Sequence, residues 1–380
     1  MKNICIITHG NLLKEPRVLK QINYFLKFKD TYRLYCVANQ LITDKRFITY
    51  YYKQPNTLEK FFRISTYLMT KNYEKYFWTK NNISLAKELQ KINFDLVVVH
   101  GIRNILLGLS ISKNAKILLD AHEYYPENFS DSLLWNLTIR NYYKYLCGKY
   151  LHMIDHIITV SPGILELYKQ NFSVKNISLI TNATNFRYLE PSPVDESHIK
   201  VIHHGNCSSS RRLELMIEAA KYFNQNIHLY LMLVVTRGYE LYFNKLKRMA
   251  KKIKNVHFID PVSNVYQIVD KLNNFDIGLI FIPGTNINLK YGLGNKFFEY
   301  IQARLMIVTG PSIEMTKYIN EFNLGKYTKS FNPRDLASLI NNLSVEEIRK
   351  YKENVHKNAW ILSDEVHNLP EFEQIIQNLL

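Results

Sequence analysis

Short runs of aliphatic and β-branched residues alternate along this chain with longer amphipathic stretches. The runs predict eleven strands, at residues 3–8, 32–37, 94–100, 116–120, 156–160, 178–181, 200–204, 228–235, 256–259, 276–282 and 305–309. Helical patterns lie between them, for example at 15–28 and 162–171. Strands that alternate with helices in this way are typical of parallel sheets covered by helices. The pattern therefore predicts an α/β protein.

The length of the chain indicates two domains. A chain of 380 residues exceeds one ordinary hydrophobic core and suits two domains of normal size. A turn-rich stretch at 190–196, which contains two prolines, is the best predicted linker. We predict two Rossmann-like domains facing a cleft, an N-terminal one over 1–190 and a C-terminal one over 198–355, followed by a final segment over 356–380.

Composition limits the class of protein and its location. The chain is 47% hydrophobic and 22% charged, which is typical of a soluble globular protein. Its four cysteines are scattered and contain no C-x-x-C pair, so we expect reduced thiols. The first residues read as a strand, not as a secretory leader, and there is no uncharged apolar run of about 18 residues. We expect a cytoplasmic protein that can also sit on the inner face of the cytoplasmic membrane.

Positive charge is concentrated in the first half of the chain. The net charge is +16, and residues 1–180 carry 25 Lys and Arg against 13 Asp and Glu. Such an excess favours a polyanionic partner or an anionic membrane on that side. Nucleic acid is not expected as a partner, because no zinc-finger, RNP or KH signature accompanies the charge.

An insertion over residues 44–92 is rich in rings and basic residues. Its central part contains eleven aromatic residues: Phe47, Tyr50, Tyr51, Tyr52, Phe61, Phe62, Tyr67, Tyr73, Tyr76, Phe77 and Trp78. Aromatic rings interleaved with lysines suit an anionic membrane surface, here over residues 45–80. Two alternatives stay open, namely helices that pack their rings against the sheet, and a nucleic-acid surface.

The segment 292–300, Gly-Leu-Gly-Asn-Lys-Phe-Phe-Glu-Tyr, is the most informative candidate site. It follows the strand predicted at 276–282 and opens a helix with Asn295 and Lys296 in the first turn and Glu299 one turn later. Backbone N–H groups at a helix start, reinforced by a lysine, suit a diphosphate, and a nearby carboxylate suits ribose hydroxyls. The alternative interpretation of Lys296 is a surface lysine without a ligand, and that of Glu299 is an ordinary glutamate of an amphipathic helix.

A second candidate anion site follows the strand predicted at 200–204. Gly205 and Asn206 lead through small polar residues to Arg211 and Arg212 at a predicted helix start. Two guanidinium groups beside free N–H groups would clamp a diphosphate. A solvated basic helix end is the alternative.

Candidate residues of the first half follow two predicted strands. Gly10 follows the first strand, where backbone approaches a ligand closely, and His122 follows the strand at 116–120. A histidine there can bond a sugar or phosphate and change protonation near neutrality, although a structural histidine is the alternative. Glu123 or Glu127 would serve as base for an acceptor hydroxyl, and spacing does not distinguish them.

Several motifs, in order along nearly the whole chain, resemble retaining glycosyltransferases of the GT-B fold, of the group 1 (family 4) type. They lie at 8–18, 119–127, 158–161, 180–183, 203–213 and 292–300, with Ala359-Trp360 before a final helix. The resemblance implies that this helix crosses back to the first domain. It favours Arg212 as clamp residue and Glu299 as the second glutamate of the family's pair. Tyr291 stands where the first glutamate is expected.

The resemblance implies a transferase that moves a sugar, with retention, from a nucleoside diphosphate to a saccharide or lipid-linked acceptor in bacterial-type cell-envelope polysaccharide synthesis. No D-x-D triplet occurs, so no metal is expected and the basic residues would neutralise the diphosphate; no other cofactor is expected either. Walker, dinucleotide and G-x-S-x-G motifs are absent. Three alternatives remain: a sugar-nucleotide 2-epimerase, a non-catalytic sugar-nucleotide binder and a nucleic-acid-binding protein.

Overall fold

A computed structural model describes residues 1–12, 15–42 and 44–380, and these residues form two compact units. The first unit is Met1–Ile180 together with Glu371–Leu380, and the second is Thr181–Pro370. The turn-rich stretch 190–196 belongs to the second unit. Leu13 and Lys14, which are part of the 8–18 motif, lie outside the described residues.

The first unit contains a parallel sheet of seven strands in the order β3-β2-β1-β4-β5-β6-β7. Its strands are β1 (Lys2–Ile7), β2 (Tyr32–Ala38), β3 (Ile48–Tyr51), β4 (Leu96–His100), β5 (Lys116–Ala121), β6 (His156–Thr159) and β7 (Ile177–Leu179). Its helices are α1 (Pro16–Lys27), α2 (Thr57–Thr70), α3 (Tyr73–Phe77), α4 (Lys80–Leu89), α5 (Ile105–Ser112), α6 (Leu133–Thr138), α7 (Arg140–Tyr150) and α8 (Pro162–Phe172). The central strand β4 is buried along its whole length. Burial on both faces explains its continuous apolar sequence.

The second unit contains a parallel sheet of six strands in the order β10-β9-β8-β11-β12-β13. Its strands are β8 (Ile199–Asn206), β9 (Ile227–Val234), β10 (Val256–Ile259), β11 (Ile277–Ile280), β12 (Met306–Thr309) and β13 (Gly325–Tyr327). Its helices are α9 (Glu214–Ala220), α10 (Glu240–Ala250), α11 (Ile268–Leu272), α12 (Ile287–Lys290), α13 (Asn295–Gln302), α14 (Ile313–Phe322), α15 (Pro333–Asn341), α16 (Val345–Asn358) and α17 (Asp364–His367). Two apolar clusters form its core.

The last helix, α18 (Leu369–Leu379), begins at the end of the second unit, and most of it belongs to the first. Within the first unit, the Phe372 ring meets the Tyr24 ring edge-on at 5.2 Å between centroids. The Ser178 hydroxyl also donates to the Glu371 carboxylate at 2.7 Å.

All eleven predicted strands are confirmed, with shifts of one or two residues at most ends. The helices predicted at 15–28 and 162–171 are confirmed as α1 and α8, each of which opens on a proline, whose fixed φ suits a first helical turn. The strands β3 and β13 were not predicted. Both pair with a single neighbour, and β3 is largely exposed, so neither has the apolar run of a buried strand.

The insertion over 44–92 folds as β3 and α2–α4. Tyr52, Tyr67 and Phe77 are buried, so core packing is the correct interpretation for these rings. Phe61 and Phe62 on α2 are exposed. The rings of this stretch are therefore divided between core and surface, because one face of α2 packs against the unit and the other faces solvent. No helix among the described residues is both long enough and apolar enough to cross a membrane.

Candidate functional site

A pocket of about 150 Å³ lies beside the carboxyl ends of β11 and β12 in the second unit. Its polar lining comes from the segments that follow β8, β11 and β12: Arg211, Gly292, Gly294, Lys296, Gly310 and Ser312. The apolar side is formed by Ile280, Ile282, Met315 and Phe331. In open α/β sheets, ligands bind at this edge, where loops leave the strand ends.

Gly205 allows two cationic side chains to approach one another. Its φ is +120°, and a Cβ at this position would lie 2.9 Å from Nζ of Lys296 and 3.4 Å from Nη1 of Arg211. A non-glycine residue would be strained here and would displace both cations. The left-handed turn therefore keeps Lys296 and Arg211 on one side of the pocket.

The electrostatics of this pair favour an anion. Burial, followed by the Arg211 charge, lowers the pKa of Lys296 to about 7, although the Glu299 carboxylate acts in the opposite direction. A neighbouring guanidinium disfavours the ammonium form of a lysine. An anion that binds between the two groups stabilises this charged form. The pair is thus preorganised for a negatively charged group.

Two helices begin at the pocket. Gly294, which has no side chain, caps α13, and Ser312 caps α14 without a hydrogen bond from its side chain. The Ser312 hydroxyl is shielded from solvent and has no partner among the described residues. Backbone N–H groups at helix starts add partial positive charge to that of the two cations.

Glu299 lies on α13, one turn after Lys296, and faces His204 at the end of β8. The Glu299 Oε2 atom is 3.1 Å from Nε2 of His204, and both side chains are largely buried. This contact fixes the direction of the carboxylate. Asn295 is exposed in the first turn of the same helix.

The structure brings Arg211, and not Arg212, to Lys296. Arg212 has φ +51° at the end of the 3-10 turn Ser209–Arg211, and its half-exposed guanidinium lies 3.0 Å from the Glu214 carboxylate. Arg211 instead approaches the Asn206 carbonyl at 3.4 Å, next to Gly205. The sequence-based preference for Arg212 is corrected here, because the left-handed turn aims the two neighbouring side chains in different directions.

Sequence reasoning gave His203 no role. It is fully buried, and its Nδ1 lies 2.8 Å from the Leu279 carbonyl, which accepts the hydrogen bond. Burial, followed by the Lys296 charge, lowers its pKa far below the usual range, so the ring is neutral. The sequence signal was the His-His pair immediately before Gly205.

In the first unit, a buried polar cluster surrounds Asp120 at the end of β5. Arg17 donates from Nε to both carboxylate oxygens at 2.8 Å, and Gln21 donates to Oδ2 at 2.6 Å. His100 and His122 lie 3.6 and 3.7 Å from the same carboxylate. Burial alone would raise the pKa of Asp120, but the Arg17 charge and the histidines outweigh it and lower the pKa to about 2.

His122 is the partly exposed member of this cluster. Its Nε2 is 3.0 Å from Nδ1 of the buried His100, so one of these two nitrogens donates the hydrogen bond. Burial lowers the pKa of His122, although Asp120 acts in the opposite direction. The lowered pKa favours the neutral form of the ring.

The spacing of three side chains in this cluster would suit a metal ion. The ligand atoms of His100, Asp120 and His122 lie within 4.8 Å of one another. Arg17, however, already bonds both oxygens of the carboxylate, so a further cation would meet the guanidinium charge.

The structure gives Gly10 and Glu127 neighbours that the sequence did not predict. A Cβ on Gly10 would collide with the Glu15 carboxylate, so this side chain and not a ligand fills the adjacent space. The carboxylate of Glu127 pairs with Arg140 and lies 3.6 Å from Nζ of Lys144. Glu127 is therefore held by two cations. Glu123 is partly buried, and its carbonyl accepts a hydrogen bond from a tyrosine hydroxyl at 2.7 Å.

Comparisons with known proteins identify the class. The family model described as Glycosyltransferase Family 4 matches residues 46–188. HepE of Anabaena, solved with UDP and glucose, has a TM-score of 0.74 at 13% identity, over 99% of this chain and 100% of that one. A TarM mutant of S. aureus, solved with fondaparinux, alpha-GlcNAc-glycerol and UDP, has a TM-score of 0.72 at 14% identity. The match covers 100% of this chain and 99% of that one. WaaG, a glycosyltransferase involved in lipopolysaccharide biosynthesis, has a TM-score of 0.67 at 13% identity. The match covers 98% of this chain and 99% of that one. Curated protein sequences gave no match.

The fold is thus that of the GT-B glycosyltransferases, as the sequence predicted. With the match over residues 46–188, the resemblance to the group 1 type is confirmed, and the protein is a glycosyltransferase.

Proposed function

We propose that this glycosyltransferase takes its sugar from a nucleoside diphosphate bound in the second unit. The observation that carries the proposal is the approach of Lys296 and Arg211 beside Gly205, at the start of α13. Transfer leaves a diphosphate with additional negative charge. Preorganised cations and helix N-termini stabilise such charge without reorganisation during the reaction. We propose that they do so without a metal ion.

The ribose of the donor is assigned to Glu299. A carboxylate held 3.1 Å from His204, one helical turn from the cations, is a hydrogen-bond acceptor of the kind that vicinal hydroxyls require. Tyr291 occupies the position of the family's other glutamate, next to Lys290, whose Nζ lies 5.6 Å from the ring centroid. The contacts to the transferred sugar therefore differ from the family pattern at this position.

The transfer step is assigned to His122 in the first unit, and the acceptor to that same unit. The neutral ring, oriented by His100 and Asp120, offers a fixed hydrogen-bonding nitrogen to a hydroxyl group. Glu123 and Glu127 are the candidate bases for the acceptor hydroxyl, and Glu127 is held by Arg140 and Lys144. Retention follows from the family resemblance, and the departing diphosphate oxygen is the alternative to a glutamate as the group that takes the acceptor proton.

The acceptor is proposed to be a saccharide or lipid-linked hydroxyl compound of cell-envelope polysaccharide synthesis. WaaG, a similar structure, takes part in lipopolysaccharide biosynthesis, which supports this class. We propose further that the exposed side of residues 45–80, with Phe61 and Phe62, contacts an anionic membrane at the inner face of the cytoplasmic membrane.

A thermal-shift panel of nucleoside-diphosphate sugars tests the donor assignment. One or more UDP-, GDP- or ADP-sugars are expected to raise the melting temperature, because binding to the native state stabilises it. Glu299→Gln is expected to lower affinity for the ribonucleotide about tenfold while leaving the 2′,3′-dideoxynucleotide within about twofold, because only the former offers the vicinal hydroxyls.

If Glu299→Gln lowers the affinity for both nucleotides equally, Glu299 does not bind the ribose hydroxyls. A wild-type protein that no donor stabilises would contradict the proposal as a whole. Epimerisation of the donor without an acceptor would favour the 2-epimerase alternative.

Nucleotide affinity is expected to depend on pH through Lys296. Its pKa is about 7 before binding, and a bound diphosphate favours the charged form, so binding above that pH must take up a proton. Affinity should then fall by up to about tenfold per pH unit above roughly pH 7. Calorimetry in buffers of different ionisation enthalpy measures both the affinity and the proton uptake.

Lys296→Arg is the matched variant, because arginine stays charged throughout this range. Its affinity should change little with pH. An equally steep decline in this variant would assign the titration to another group.

A further inference from the structure

The short helix α6 presents an apolar surface to solvent. Leu133, Leu134 and Leu137 are 75%, 73% and 66% exposed, and the preceding Phe129 is 50% exposed. No residue of this helix is buried. A contiguous group of large exposed apolar side chains marks an interaction surface, whereas single exposed leucines do not.

The exposed leucines belong to an ordered segment. The Ser132 hydroxyl caps α6 by accepting from the Trp135 N–H at 3.3 Å. The Trp135 ring packs against Phe129 and Tyr143 at centroid distances of 6.3 and 6.1 Å. Trp135 therefore packs on Tyr143 of α7, whereas the leucines remain exposed. The arrangement is that of an amphipathic helix whose apolar side has no partner within the unit.

A second exposed apolar surface is attached to the same supporting helix, α7. Tyr67 of α2 and Tyr76 of α3 pack against Tyr142 of α7, and Tyr73 stacks on Tyr145 at 4.4 Å. The outer side of α2 then carries exposed apolar residues: Leu58, Phe61, Phe62, Leu68 and Met69. Because α6 leads directly into α7, both surfaces are anchored to one helix.

Charge decides between two occupants of this surface. The first unit contains 25 Lys and Arg against 15 Asp and Glu. A second copy of the chain would bring the same positive excess and would be repelled. An anionic lipid surface would be attracted by this excess. Lys60 lies on α2 and Lys71 directly follows that helix, and both are exposed.

We propose that α6 is a membrane-inserting element, with Leu133, Leu134 and Leu137 entering the headgroup boundary of a bilayer that contains anionic lipid. The exposed side of α2 makes the adjacent contact. This extends the membrane contact proposed for residues 45–80 to an element that the sequence did not indicate. It depends on neither the donor site nor the transfer reaction.

Vesicle sedimentation tests the proposal with the full-length protein. Wild type is expected to bind phosphatidylcholine vesicles that contain phosphatidylglycerol, and to bind pure phosphatidylcholine weakly. The combined variant Leu133→Ser, Leu134→Ser, Leu137→Ser should lose at least about tenfold in affinity, because it removes the apolar area that would leave water. The control Leu241→Ser changes a leucine that is 83% exposed in the second unit, and it should bind as wild type does.

Two results would overturn the proposal. One is vesicle binding that is absent in wild type or equal in wild type and the triple variant. The other is a lipid-free dimer, seen by sedimentation velocity, that the triple variant abolishes, which would make α6 an interface between copies. Donor-nucleotide affinity of the triple variant, measured in parallel, reports on folding and on the donor site separately from the membrane.

Discussion

Loss of either pocket cation is expected to impair donor binding strongly. Lys296→Met and Arg211→Gln should each weaken binding of the preferred nucleoside diphosphate by about 10- to 100-fold, since a hydrogen bond to a charged group contributes about 1.5–3 kcal/mol. The two side chains approach one another only because Gly205 has a left-handed backbone and no Cβ. Isothermal titration calorimetry measures the effect.

Arg212→Gln is the matched control for this prediction. Arg212 is the chain neighbour of Arg211, but its guanidinium pairs with Glu214 at the surface. Its loss should change nucleotide affinity by no more than about twofold, since exposed ion pairs contribute little. The reverse result, with Arg212 essential and Arg211 dispensable, would show that the pocket is not the diphosphate site.

His122→Ala is expected to reduce kcat by about 100-fold while donor affinity and melting temperature stay near those of wild type. The magnitude is that of one positioned hydrogen-bonding or proton-transferring group in the reaction. His122 is the partly exposed end of a cluster in which Arg17, Asp120 and His100 are largely buried. Initial rates with a saturating donor separate kcat from binding.

The exposed residue His152 supplies the control, because it belongs to the same unit and lies outside this cluster. His152→Ala should transfer sugar at the wild-type rate. If His122→Ala also transfers at that rate, the cluster around Asp120 is structural. A large fall in melting temperature in His122→Ala would point in the same direction.

Local sequence patterns were sufficient for the strands and for the helix that carries Lys296 and Glu299. An apolar run that fills a buried parallel strand is a local signal, and so is the glycine-containing turn before an amphipathic helix. The positions of β8, β11 and α13 follow from such signals. The order of the motifs along the chain was also sufficient for the class of fold.

Tertiary structure alone separated Arg211 from Arg212, placed His204 beside Glu299 and joined His100 to His122. These residues are adjacent in sequence or belong to segments far apart in the chain, and the direction of a side chain depends on the backbone turn and on packing with distant residues. The solvent exposure of a side chain likewise depends on the tertiary structure. The leucines of α6 have the composition of a core helix, and only the folded unit leaves them in solvent, because Trp135 takes the side that faces the protein.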